Sequence, residues 1–240
     1  MRKRLKLVGV SLLAVLVIAS VGFYAWTRVA RYPAFREAVS LADQAKVERG
    51  WYVFEPAGEP SVGLIFYPGG LVDPAAYAPL MRQLSDGGVL AIIVPMPLDL
   101  AVFGVNRADE VIAADSDVDT WIIGGHSLGG AMAAEYVKRK PDAVDGLVFL
   151  ASYPSDSTDL SATPAKVLSI YGTEDGVAGD VLEGSLQRLP GGTSLEVIAG
   201  GNHAQFGDYG PQKGDGTATV SRDVQQQLTT DAILRLVGAL

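Results

Sequence analysis

From residue 37 to the C-terminus, short apolar runs alternate with stretches of helical periodicity. The runs predict strands at 51–54, 62–67, 89–94, 120–123, 146–150, 166–171 and 195–198. The middle ones are nearly continuous in Val, Ile and Leu, as a strand reads when both of its faces are covered. Between them, Asp73-Pro74 predicts an N-cap with proline at the first helical position. The helix then runs over 75–85 to a stop at Gly87-Gly88. Further helices are predicted at 128–139 and 181–189. Near the C-terminus Val220, Val224, Leu228, Ala232 and Leu236 recur at steps of four, predicting a helix whose apolar stripe packs on the sheet. This alternation predicts an α/β fold, a mostly parallel sheet of about seven or eight strands flanked by helices. The Gly-rich stretch 200–217 is the longest expected loop, and loops of that length in compact domains are often functional.

The first 36 residues have a different pattern. Arg2, Lys3, Arg4 and Lys6 precede 20 uncharged residues, Leu7 to Trp26, in which only Ser11 and Ser20 are conventionally polar. At about 1.5 Å per helical residue this run is roughly 30 Å long, the thickness of a bilayer's hydrocarbon core. Tyr24 and Trp26 fall where an interfacial aromatic belt would sit, and the leading positive charges favour an N-in orientation. The competing reading is a cleaved signal peptide with a shorter apolar region. Its best cleavage candidate, Val17-Ile18-Ala19, lies inside the run, so a retained signal-anchor is the expectation. The expected division is therefore 1–36 as transmembrane segment and linker, with 37–240 as the folded domain, outside the cytoplasm. Secretion after cleavage is the alternative.

Charge sharpens that division. Residues 1–36 hold seven Lys or Arg and no acid, leaving 12 basic and 27 acidic residues, a net −15, for the remainder. Such a domain repels phosphate backbones, so nucleic acid is not an expected partner. The absence of cysteine removes disulfides, thiol nucleophiles and Cys-based metal sites. Asp115-Ser116-Asp117-Val118-Asp119 imitates the start of a calcium loop, but Thr120 and His126 stand where glycine and glutamate are needed. It reads as a solvated turn, as do Asp208 and Asp215, and no metal site is expected.

The chemistry enters at Gly125-His126-Ser127-Leu128-Gly129. It follows a buried-strand pattern and precedes an Ala-rich helix, the context in which G-x-S-x-G makes a nucleophile elbow. Small residues two positions either side of the serine let strand and helix approach, and the hydroxyl stands free at a helix N-terminus. On these residues the chain resembles the α/β-hydrolase superfamily over about residues 45–240. The likeness is to its compact, cap-less form, the esterase-like and dienelactone-hydrolase-like branch. Only 15 residues separate the strands ending at Leu150 and starting at Lys166, too few for a large cap.

The resemblance implies a set of roles. Ser127 is the nucleophile. The family's order of nucleophile, acid, histidine gives His203, directly after the last strand, as general base, and leaves His126 as a packing residue of the elbow. Gly172-Thr173-Glu174-Asp175 resembles the family's G-x-x-D segment, which implies Asp175 as the acid, with Glu174 as the alternative. The oxyanion hole takes the N–H of Leu128 and one from Pro68-Gly69-Gly70-Leu71, where the family commonly has His-Gly; Gly70 is chosen and Leu71 is the alternative. Residues 96–103 and Phe206 are expected in the pocket wall. The implied activity is hydrolysis of a small-molecule ester through an acyl-enzyme, without a cofactor. An acyltransferase using the same intermediate, and a non-catalytic binding protein on the same fold, are the rival readings.

Overall fold

A computed structural model describes residues 2–115, 117–179 and 181–240; Ser116 of the acidic turn lies outside the described residues. The chain divides into two units, Met1–Arg31 and Tyr32–Leu240. The first is one helix, α1 (Arg2–Val29), whose portion Ser11–Val29 has a mean hydropathy of 1.8 and is long and apolar enough to cross a membrane. Length and composition alone show this, and a signal sequence has the same properties.

The second unit is built on an eight-stranded sheet: β1 (Lys46–Glu48), β2 (Trp51–Phe54), β3 (Val62–Tyr67), β4 (Leu90–Ile93), β5 (Thr120–His126), β6 (Gly146–Leu150), β7 (Lys166–Gly172) and β8 (Ser194–Ile198). The spatial order is β1-β2-β4-β3-β5-β6-β7-β8. Only β1 and β2 run antiparallel to their neighbours; from β4 to β8 every pairing is parallel. The helices are α2 (Arg36–Ala42), α3 (Ala78–Asp86), α4 (Ala108–Ile112), α5 (Leu128–Arg139), α6 (Val181–Ser185) and α7 (Arg222–Val237).

Alternation within the central strands explains why they read as continuous apolar runs. Leu64 and Phe66 of β3, with Val148 and Leu150 of β6, face the layer formed by α3 and α7. Ile65 and Tyr67, with Leu147 and Phe149, face the layer of α4 and α5. Both faces are covered, so no position in these strands can be polar without a partner. From β3 the chain leaves to β4 on one side, then returns past β3 to β5 on the other. The loops after β3 and β5 therefore diverge, and a crevice opens beyond the strand ends.

Two expectations need correction. The segment at 75–85 begins as a 3₁₀ turn, Pro74–Tyr77, capped by the Asp73 side chain accepting from the Ala75 N–H, before α3 proper. More consequentially, the stripe Val220–Val224–Leu228–Ala232–Leu236 is not the buried face of α7: Val224 is 47% and Leu228 39% exposed. The buried face carries Gln225, Gln226, Thr229 and Thr230 alongside Ala232, Ile233 and Leu236. These polar groups tolerate burial because each is hydrogen-bonded. Gln225 Nε2 donates to the Asn202 carbonyl at 2.7 Å while its Oε1 accepts the Asn202 N–H at 3.0 Å. Gln226 donates to Asp208 and Thr230 to Gln83. Helix α7 thus clamps the loop after β8.

The compact unit starts at Tyr32, inside the stretch expected as anchor and linker. Tyr32 donates its N–H to the Leu71 carbonyl and accepts from the Asp73 N–H, and the Phe35 N–H donates to the Asp208 carbonyl. The four residues 32–35 therefore strap the loop after β3 to the loop after β8.

Candidate active site

The elbow at the end of β5 is a strained turn. Ser127 has φ 51° and ψ −121°, a region costly for any residue with a side chain, by about 1–3 kcal/mol. Three bonds hold it there: the Ser127 N–H donates to the Leu150 carbonyl at 3.0 Å, and the Ser127 carbonyl accepts from the Ala131 N–H and, at 2.6 Å, from Ser152 Oγ. The glycines are required by space. A β-carbon on Gly129 would run into the Tyr67 carbonyl, and one on Gly125 would lie 2.5 Å from the Gly129 backbone. The turn places Ser127 at the N-terminus of α5.

Ser127 lines a cavity of about 260 Å³ together with Leu128, Ala131, Ala151, Ser152, Tyr153, Val177, Ala178 and His203. Residues 96–103 and Phe206 do not line it, contrary to expectation. Phe206 is fully buried behind His126, and of the 96–103 stretch it is Leu100 that comes near, packing close to Gly70. The wall is supplied instead by the loops after β6 and β7, whose alanines offer no sequence signal of a pocket.

His203 is almost fully buried, and its Nδ1 lies 3.1 and 3.0 Å from the two Asp175 oxygens. An ionised carboxylate only accepts, so the proton sits on Nδ1 and the Nε2 lone pair is free. Nε2 has no partner among the described residues, and the ring shares the cavity wall with Ser127. Asp175 is itself held, its Oδ1 accepting from the Val177 and Ala178 N–H groups at 2.9 and 2.8 Å. Glu174 is exposed and does not meet His203.

In the loop after β3, neighbouring bonds distinguish the candidate amides. The Gly69 N–H donates to the Tyr77 hydroxyl at 3.0 Å, and the Leu71 N–H to the Asp99 carbonyl at 2.8 Å. The Gly70 N–H has no acceptor among the described residues. A β-carbon on Gly70 would lie 3.1 Å from the Leu128 side chain, so these two candidate donors are neighbours. As the first residue of α5, Leu128 has an N–H with no acceptor in its own helix.

His126 lies beneath the His203 ring. Its side chain is fully buried, Tyr77 OH donates to its Nδ1 at 2.8 Å, and its ring centroid is 4.5 Å from that of His203. Burial first, and the charge on a protonated His203 second, hold His126 well below the usual histidine range. It therefore stays neutral in the folded protein while an unfolded chain protonates it near pH 6.5. Stability from this group is full above about pH 6.5 and is lost as pH falls, by about 1.4 kcal/mol per unit. His126→Asn, which keeps an acceptor for Tyr77, is expected to remove that slope from urea denaturation measured between pH 7.5 and 5.5. Identical slopes for the two proteins would contradict it.

The model of the Alpha/beta hydrolase family matches residues 63–227. No curated protein matches. Among solved structures, a predicted CIB-like hydrolase from Thermoplasma acidophilum is 17% identical, with a TM-score of 0.56 over 80% of this chain and 96% of that one. Est1E from Butyrivibrio proteoclasticus is 13% identical, with a TM-score of 0.60 over 80% and 97%. The esterase domain of a Rhodothermus marinus protein is 11% identical, with a TM-score of 0.58 over 80% and 94%. At these identities the likeness is one of fold.

Proposed function

This chain belongs to the α/β hydrolase family, and on that premise we propose that it is a carboxylesterase-like serine hydrolase acting through a Ser127–His203–Asp175 triad. One observation carries the reading. A histidine with its Nδ1 on a buried carboxylate and its Nε2 unpartnered shares one small cavity with a serine held in a strained elbow.

In this mechanism Ser127 Oγ attacks the ester carbonyl as His203 Nε2 takes its proton. Asp175 holds the imidazole by its Nδ1–H and stabilises the cation. The Gly70 and Leu128 N–H groups receive the charge that develops on the carbonyl oxygen. His203 returns the proton to the departing alkoxide, leaving the acyl-enzyme and free alcohol. Water, deprotonated by the same Nε2, attacks the acyl carbon; the acid leaves and Ser127 regains its proton.

The cavity favours short acyl groups. Its volume lies below the roughly 300–1,000 Å³ of ordinary small-molecule pockets, and Ala131, Ala151, Val177 and Ala178 form much of its wall. The full-length chain in detergent is expected to hydrolyse p-nitrophenyl acetate with kcat/KM about 100-fold above that for the palmitate ester. Equal or better turnover of palmitate would refute the short-acyl preference. Release that requires an added alcohol or amine would replace the hydrolase by an acyltransferase.

The helix containing Ser11–Val29 is read as a membrane anchor with the catalytic unit outside the cytoplasm. The chain is then expected in the membrane pellet after carbonate washing, with residues 1–36 intact. A mature N-terminus near Ser20 on freely soluble protein would make the helix a signal peptide.

A further inference from the structure

Asp215 lies in the loop that follows His203, within Lys213-Gly214-Asp215-Gly216, and nothing in its sequence setting marks it as more than a turn. Its carboxylate nevertheless gathers backbone donors from both halves of the site. Oδ1 accepts the N–H of His203 at 3.1 Å, of Gly216 at 2.9 Å and, more weakly, of Gly176 at 3.4 Å. Oδ2 accepts the Ala204 N–H at 2.8 Å. Gly176 directly follows Asp175, so one side chain touches the main chain of the base and of the residue beside the acid.

The surrounding backbone is packed to match. A β-carbon on Gly176 would collide with the Gly214 carbonyl, and one on Gly216 with the Glu174 carbonyl. The loop 214–216 therefore lies flat against the Asp175 turn, and Asp215 reaches across that seam. On the opposite side, Asn202 Nδ2 donates to the Gly216 carbonyl at 2.8 Å, and Gln225 grips the Asn202 backbone. These neutral contacts fix the loop, while Asp215 is the group that brings a charge to the His203 amide.

We propose that Asp215 is a positioning residue for the reaction: it holds the His203 main chain in register with Asp175, and its charge favours the imidazolium formed when His203 takes the serine proton. The proposal rests on the triad reading. Opposite charge held close favours the protonated form of a base, and a displacement of about 1 Å at a reacting group can cost about a hundredfold. The other titratable groups facing this region are Asp175 and exposed Glu174 from the acid turn, and neutral His126 with Tyr77 from beneath the His203 ring. Tyr209 lies behind His126, and Arg222 of α7 spends its guanidinium on the Gly207 and Tyr209 carbonyls. Lys213 precedes Asp215 by two residues. None of these is bonded to the His203 amide.

The test compares full-length wild type with Asp215→Asn and Asp215→Glu, using p-nitrophenyl acetate across pH 5–9 and normalising rates to the folded fraction from the thermal melt. Asp215→Asn is expected to lower kcat about 10- to 100-fold with KM within about twofold. It should also move the midpoint of the acid limb of kcat/KM to lower pH by about half a unit, because a charge that favours the imidazolium is gone. Asp215→Glu keeps the charge and should leave that midpoint at the wild-type position even where kcat falls. Identical midpoints for Asn and wild type, or equal shifts for Asn and Glu, would overturn the proposal while leaving an active wild-type enzyme. A wild type inert to both ester and fluorophosphonate would overturn the triad reading itself.

Discussion

Ser127→Ala is expected to reduce p-nitrophenyl acetate hydrolysis about a thousandfold or more, to near the uncatalysed rate, with the thermal melt within about two degrees of wild type. The two halves of that expectation have different origins. The activity is lost because the other groups act on a bond that only the serine oxygen can form. Stability is kept because alanine meets the same penalty as serine at φ 51°, and the three bonds that hold the turn use main-chain atoms of residue 127. The Ser127 hydroxyl makes no hydrogen bond of its own to the described residues. Retention of more than about a tenth of the activity would move the nucleophile elsewhere.

Asp175→Asn is expected to be nearly as damaging, costing about 10³- to 10⁴-fold in kcat. The cause is a tautomer. Asp175 Oδ1 accepts from the Val177 and Ala178 N–H groups, so an asparagine would keep its oxygen there, 3.1 Å from His203 Nδ1, and set its NH₂ at the Oδ2 position, 3.0 Å from the same nitrogen. The NH₂ cannot take the Nδ1–H bond and favours the tautomer in which Nδ1 accepts; in that tautomer the ring proton sits on Nε2, and no lone pair remains there to take the serine proton. The pH dependence of Asp175→Asn should rise again at alkaline pH, where hydroxide replaces the lost base. Glu174→Gln, one residue away on an exposed side chain, should keep wild-type kcat. Equal losses in the two variants would contradict the assignment of Asp175.

What the sequence made legible was whatever is written locally. Strands β3 and β6 and helix α5 were read to the residue, because buried parallel strands demand uninterrupted apolar runs and the elbow demands glycine at Gly125 and Gly129. Strand β1 escaped: Lys46–Glu48 is a three-residue antiparallel edge with exposed side chains, and no apolar run marks it. The buried face of α7 is not marked by hydrophobicity alone. Gln225 and Thr229 are buried for their hydrogen bonds, and the carbonyl and amide of Asn202 that Gln225 grips are invisible in a one-dimensional pattern.

The same distinction applies within the site. Ser127 carries a signature in its immediate neighbours, whereas Asp215 gathers donors from Gly176, His203, Ala204 and Gly216, and one of these lies 39 positions away in the chain. The pocket wall fails for a related reason. Ala131, Ala151 and Ala178 are ordinary small residues until folding places them around one cavity. The Gly70 and Leu71 amides look alike in the sequence, and that the Leu71 N–H is committed to the Asp99 carbonyl is a contact made only in the folded chain.

The central claim is that Ser127 is an activated nucleophile in a working triad. The most direct test is to treat the full-length chain with a fluorophosphonate probe at neutral pH, digest it and locate the adduct by mass spectrometry. The account predicts stoichiometric labelling confined to the peptide carrying Ser127, absent in Ser127→Ala and strongly slowed in His203→Ala. No labelling of the folded wild type, or an adduct on any other residue, would contradict it.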